Sequence, residues 1–157
     1  MLEIKTVVDT DYDPSVERKE GESGVVRFYG SSSSSSSYER AGIFPWGRSN
    51  QVGPDGEKVV SARAIKHVRE LTAIASGEKK DASIEKLRAA VLFIVARRDA
   101  VSFRPNKEAC PSFARYLKEA QKKGVKVLAR RVRWEAGGQA DFAGGALDDG
   151  PIPIELP

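Results

Sequence analysis

Cysteine is almost missing from this chain: Cys110 stands alone among 157 residues. It has no internal disulfide partner, and a zinc site built on cysteines is excluded. Histidine is equally scarce. His67 is the single example, so a His-rich metal site is excluded, and any Ser-His-Asp triad would have to run through it. No apolar run approaches the roughly 20 residues that a membrane-spanning helix needs. The opening MLEIKTVVDTDYD has no apolar stretch of the kind a secretory signal carries. These scarcities lead us to expect a reducing, intracellular compartment, cytoplasmic or nuclear, with no membrane partner.

What is present is charge, unevenly placed. The net charge is only +4, but residues 58–133 hold 20 Lys and Arg against 7 Asp and Glu, a local +13. The flanks are acidic: −4 over residues 1–57 and −5 over residues 134–157. A basic middle between acidic ends is a candidate polyanion surface. The competing explanation is a solubilising surface with no ligand. At roughly 100–200 residues per domain, the chain is read as a single domain, 1–157.

Hydrophobic periodicity divides the chain into elements. Leu2 and Ile4 alternate with Glu3 and Lys5, which predicts a strand with Ile4 buried behind the polar face. Residues 9–41 and 47–57 are polar and turn-rich and are expected as disordered insertions, with room for a short strand at VVRFYG. The run Ser31–Ser37 is a low-complexity tract with nothing to bury. From Ser61, a plausible N-cap, Ile65, Val68, Leu71 and Ala75 follow at helical spacing until Gly77. Residues 78–88 are polar, with room for one helical turn. Ala89–Ala96 is an unbroken apolar run, expected as a central strand buried on both faces. VSFRPNKEACP is expected as a loop. Pro111 opens a second helix with Phe113, Leu117 and Ala120 on its apolar stripe and Gly124 as its stop. VKVLARRVRW is a further strand, and PIPIEL is expected as a short edge strand. The fold class is therefore α/β with a strand-helix-strand crossover between parallel strands.

Three groups of residues can carry chemistry. On a strand, Glu3 and Lys5 share one face. A carboxylate beside an ammonium can hold a divalent cation and stabilise developing negative charge. The plainer explanation is a solvated strand face. On the first helix, Arg63, His67 and Arg69 form a candidate phosphate-facing cluster, with Lys66 and Glu70 spaced for an i, i+4 pair. On the second helix, Arg115, Lys118 and Lys122 recur at one-face spacing, either as a backbone-binding stripe or as the wet face of an amphipathic helix. Arg130 and Arg131 point to opposite faces of a strand, so one of them needs a partner.

The ordered motifs together resemble the sugar fermentation stimulation protein (SfsA) family. Leu2–Val8 is similar to its EVK-containing strand, and Ile43-Phe44-Pro45 to its F-P element. Val60–Leu71 is similar to its T-x-R-G-x-x-H-L-x-E-L helix, and Ala89–Arg98 to its long apolar strand. Ser102–Asn106 fits its F-x-P-N loop, Phe113–Ala129 its helix and following strand, and Ile152–Leu156 its final strand. The resemblance implies a DNA-binding protein on an incomplete restriction-endonuclease-like sheet of the PD-(D/E)xK type. It assigns Glu3 and Lys5 as catalytic residues and Glu3, with the Ile4 carbonyl, as ligands of Mg²⁺. The Asp-bearing strand that precedes E-x-K in that family is absent, as is its N-terminal OB-like domain. Asp9, Asp11 and Asp13 come too late in the chain to replace that Asp. Ala62 and Ala64 replace a usual Glu and Gly. A start inside a core strand suggests a fragment of a longer protein, and the insertions suggest a eukaryotic relative.

The resulting expectation is DNA binding without catalysis. The alternatives are a Mg²⁺-dependent DNA endonuclease and a non-catalytic protein-interaction remnant.

Overall fold

In the computed structural model of the chain, the residues described are 1–11, 16–20, 26–30, 40–79, 88–134 and 145–157. In chain order the elements are β1 (Leu2–Val7), β2 (Asp9–Thr10), β3 (Val16–Glu20), β4 (Val26–Gly30), β5 (Arg40–Phe44), β6 (Gln51–Val52) and β7 (Lys58–Val59). Then come α1 (Ala62–Ala75), β8 (Ala90–Val95), β9 (Ala100–Pro105), α2 (Pro111–Lys122), β10 (Lys126–Trp134) and β11 (Ala146–Pro151).

Both helices form where the periodicity places them. Ser61 caps α1, its Oγ accepting from the Ala64 N–H at 3.3 Å, and Gly77 takes the left-handed turn at φ 78°. Ala64, Ile65, Val68 and Leu71 are its buried stripe. Pro111 opens α2, where a missing N–H costs nothing, and Phe113, Ala114, Leu117 and Ala120 are buried. The two helices pack against each other and against one hydrophobic core. At its centre Phe93 of β8 stacks on Phe103 of β9 at 4.1 Å between ring centroids, with Phe44 of β5 and Phe113 of α2 around them.

The main sheet has the order β1-β8-β10-β11. β1 and β10 flank β8 in parallel, and β11 closes the far side antiparallel. The expected crossover is therefore present: β8 and β10 are parallel neighbours, joined through α2. A second sheet, β2-β5-β9, stands beside it, and β3-β4 and β6-β7 are two-stranded pairs.

Several expectations need correction. β8 is buried on one face only: Val91, Phe93 and Val95 are fully buried, while Ala90, Leu92 and Ile94 are half-buried. Ile4, Leu92 and Leu128 lie side by side across three strands. Ile4 is not buried but 52% exposed, and Leu128 is 45% exposed. Among the described residues this second face has no cover, because both helices lie on the first. The short strand allowed for at VVRFYG is β4, but the rest of 9–41 is not uniformly irregular: β2, β3 and the start of β5 also fall within it. The serine tract lies outside the described residues. Much of the expected insertion 47–57 is ordered: with Lys58 and Val59 it forms the β6–β7 hairpin, and Val59 is fully buried. The VSFRP segment is β9, parallel to β5. The last strand lies at 146–151, before the expected 152–156. Beyond it Ile154 makes only a single bridge to Phe103, because Pro151 and Pro153 supply no N–H for a ladder. Most of 78–88 lies outside the described residues.

Candidate functional site

The registry of β1 on β8 decides where its polar side chains go. Glu3 lies beside Val91 and Lys5 beside Phe93, on the face that carries the helices. There they meet His67, which α1 presents one turn after Arg63. Glu3 Oε1 accepts from Lys5 Nζ at 2.6 Å and lies 2.6 Å from His67 Nδ1. The side chains of Glu3, Lys5 and His67 are 21%, 13% and 22% exposed. Burial pushes the Glu3 carboxyl up, but the hydrogen bonds from Lys5 and His67 outweigh it and hold the group below its ordinary value. An ionised carboxylate can only accept, so Nδ1 carries the hydrogen of the Glu3–His67 contact. The 3.1 Å approach of Lys5 Nζ to the same Nδ1 is then a meeting of two donors on one oxygen.

This donor set does not fit a dedicated Mg²⁺ centre. Mg²⁺ asks for octahedral oxygen ligands, typically one or two carboxylates with waters. Glu3 supplies one carboxylate, and one of its oxygens already takes two nitrogen donors. Among the described residues no three His, Cys, Asp or Glu side chains come together to hold a metal ion. Asp9 and Asp11 stand in and beside the second sheet, where Asp11 Oδ1 accepts from the Ala41 N–H at 2.9 Å. Asp13 lies outside the described residues.

The cationic residues divide into those with partners and those without. Arg63, Lys118 and Lys122 are exposed and have no ion-pair partner among the described residues. Arg115 belongs to a different arrangement. Its Nη2 donates to Asp55 Oδ2 at 2.6 Å, so it is not a free member of the expected stripe. Arg69 and Arg115 converge on one ring: their guanidinium carbons lie 5.5 and 4.8 Å from the Tyr116 centroid. Glu70 pairs loosely with Lys79 at 3.8 Å and not with Lys66. Arg130 and Arg131 both find partners across the β10–β11 pair, Asp148 at 2.6 Å and Asp149 at 2.7 Å.

The sequence reading missed Asp55 and Tyr116. Asp55 sat in a stretch taken for loop, and only its tertiary partner reveals it. The pairing of Arg130-Arg131 with Asp148-Asp149 did leave a signal, two adjacent cations against two adjacent anions.

Residues 54–138, more than half of the chain, match the family described as the Sugar fermentation stimulation protein RE domain. The chain belongs to this family. Among curated members, the sugar fermentation stimulation protein homolog of Alkaliphilus metalliredigens is 46% identical over 67 residues, 43% of this chain and 25% of that protein. The homolog of Syntrophotalea carbinolica is 39% identical over 74 residues, 47% of this chain and 29% of that protein. The matched stretch thus spans a small part of the family's full length. Among solved structures, Pyrococcus furiosus SfsA in complex with Ca²⁺ aligns with a TM-score of 0.57 at 23% identity, over 99% of this chain and 44% of that one. That likeness extends the shared SfsA fold to β1. His67 lies inside the family match, whereas Glu3 and Lys5 lie before it.

Proposed function

We propose that this SfsA-family chain binds DNA through the exposed cations of α1 and α2 and does not cleave it. The observation that carries the reading is the placement of charge. Arg63 and Lys66 on α1, Lys118 and Lys122 on α2 and Lys123 at its C-cap all face solvent from two helices packed side by side. They are open to phosphate partners in a way that the paired Arg130 and Arg131 are not. The Glu3–Lys5–His67 cluster adjoins this layer through α1. With one carboxylate, it positions the strand against the helix and supplies no metal-activated water.

The test is filter binding of duplex DNA across salt. Phosphate contacts release counterions, so log affinity falls linearly with log salt, by about 0.9 per phosphate neutralised. Reversing Arg63, Lys118 and Lys122 to Glu together flattens the slope. An unchanged slope moves the interface elsewhere. A second reading, a protein-interaction module, draws on the apolar row of exposed Ile4, half-buried Leu92 and exposed Leu128; absence of DNA retention at low salt favours it.

A further inference from the structure

The β6–β7 hairpin carries Asp55 at its tip. Its turn is closed by Gly56 N–H donating to Gly53 O at 3.1 Å, and Glu57 Oε2 accepts from the Asp55 N–H at 3.0 Å. The carboxylate is thereby aimed at α2. A single oxygen, Oδ2, accepts from Arg115 Nη2 at 2.6 Å and from the Tyr116 hydroxyl at 2.7 Å. Arg69 reaches the same ring from α1. A guanidinium and a hydroxyl donating to one oxyanion, with a second guanidinium over the neighbouring ring, form a cationic donor set of the kind a phosphate group takes. The anion seated there belongs to the chain itself.

Two observations argue that this contact is more than a fastening for the hairpin. First, the hairpin is held elsewhere: the Ala62 N–H donates to Gln51 Oε1 at 2.9 Å, and Val59 is fully buried in the core. Second, the pair is open to water, with the Arg115 and Asp55 side chains 61% and 50% exposed. Exposed ion pairs hold weakly, so a competing anion can displace one. A groove of about 720 Å³ runs alongside, between α1, α2 and the hairpin. Lys66, Arg69 and Lys123 line it, together with Glu70, Glu78 and Glu119. The Asp55 carboxyl is held below its ordinary range, first by the Tyr116 hydroxyl and then by Arg115, so the occupant is an anion at neutral pH.

We propose that Arg115, Tyr116 and Arg69 form a phosphate cradle for the DNA backbone, and that Asp55 is its intramolecular occupant, displaced when a backbone phosphate binds. This inference rests on the DNA-binding reading and names the regulation of that same surface. Asp55 raises the threshold for binding, so that only a polyanion with several phosphates in register opens the contact.

The experiment compares duplex DNA binding by the full chain and by Asp55→Asn, Arg115→Ala and the double variant, titrated by fluorescence anisotropy at several salt concentrations. Asp55→Asn is expected to bind about threefold tighter at a nearly unchanged slope, because the cradle meets the same phosphate in both complexes and only the cost of displacing Asp55 is removed. In the Arg115→Ala background the same substitution gains nothing, because the cradle is gone. Tyr116→Phe, which removes one donor and no charge, lowers the affinity of Asp55→Asn. Equal gains in both backgrounds would reduce the effect to net charge and overturn the cradle. Wild-type binding with no gain from Asp55→Asn removes the cradle and leaves the DNA reading intact. No binding at low salt by either protein removes both.

Discussion

Glu3 Oε1 is shared by two nitrogen donors, and this fixes what the residue does for stability. Its folded carboxyl lies below the ordinary 4.5, because the hydrogen bonds from Lys5 and His67 outweigh the opposing effect of burial. A depressed carboxyl contributes stability that is full above its unfolded value and lost as pH falls through its folded value. Glu3→Gln therefore lowers stability most at neutral pH, and the two melting curves converge as the pH falls below 4.5 and through the lower folded value. Hydrogen bonds to charged groups are worth more than neutral ones, and partial exposure reduces this, so a loss of about 1 kcal/mol is expected. Thermal melts of both proteins between pH 3 and 7 check it. A constant offset across that range would mean that the charge of Glu3 contributes nothing. The residue pair was legible in the sequence, since strand alternation alone puts Glu3 and Lys5 on one face. Their partner was not: 62 residues separate Lys5 from His67, and only the packing of α1 on the sheet brings them together.

At the scale of elements, local pattern was informative where an element makes its own periodicity. The helices and β8 carry apolar residues that their burial later uses, whereas β1 is a strand as its alternation predicts but turns Leu2 and Ile4 to the exposed face and Glu3, Lys5 and Val7 inward. β9 and β11 carry no such pattern. Arg104 and Pro105 interrupt β9, which exists because β5 lies parallel to it, some 60 residues away in the chain. ALDDGP reads as a turn, and becomes strand β11 because β10 offers it a ladder and Arg130 offers its Asp148 a counter-charge. The two sheets meet at Gly42 of β5. A Cβ built there would lie 2.9 Å from Val95 Cγ1 and 3.4 Å from Val7 Cγ1, both fully buried side chains. A Cβ there therefore forces a shift in a packed region. Gly42→Ala is expected to lower unfolding stability by roughly 1–3 kcal/mol, the range for overpacking a core. Urea denaturation measures it. A neutral result would mean that the sheets separate freely at this point.

For the molecule as a whole, the question is whether a nuclease-like fold with this polar cluster is equipped to cut the DNA that it is proposed to bind. Phosphodiester cleavage on such a fold depends on a cation held in place, a water beside it and a phosphate aligned with both. Small displacements of reacting groups cost large factors in rate. Here one oxygen of the carboxylate that would hold the cation is taken by Lys5 and His67, and no second acidic side chain joins it among the described residues. Lys5, which would have to stabilise charge on the phosphate, is already directed at Glu3. The cations on the helices are unaffected by any of this. Binding and cleavage therefore separate, and the chain is expected to retard plasmid DNA without nicking it. Adding Mg²⁺ or Mn²⁺ should leave supercoiled plasmid intact over an incubation in which the protein–DNA complex is fully formed. Glu3→Ala and Lys5→Ala should bind with nearly unchanged salt dependence, because neither side chain lies on the exposed helical layer. Metal-dependent nicking by the wild-type chain that both substitutions abolish would overturn this. It would require the Glu3 carboxylate to leave His67 when DNA binds and to recruit a second acid from outside the described residues.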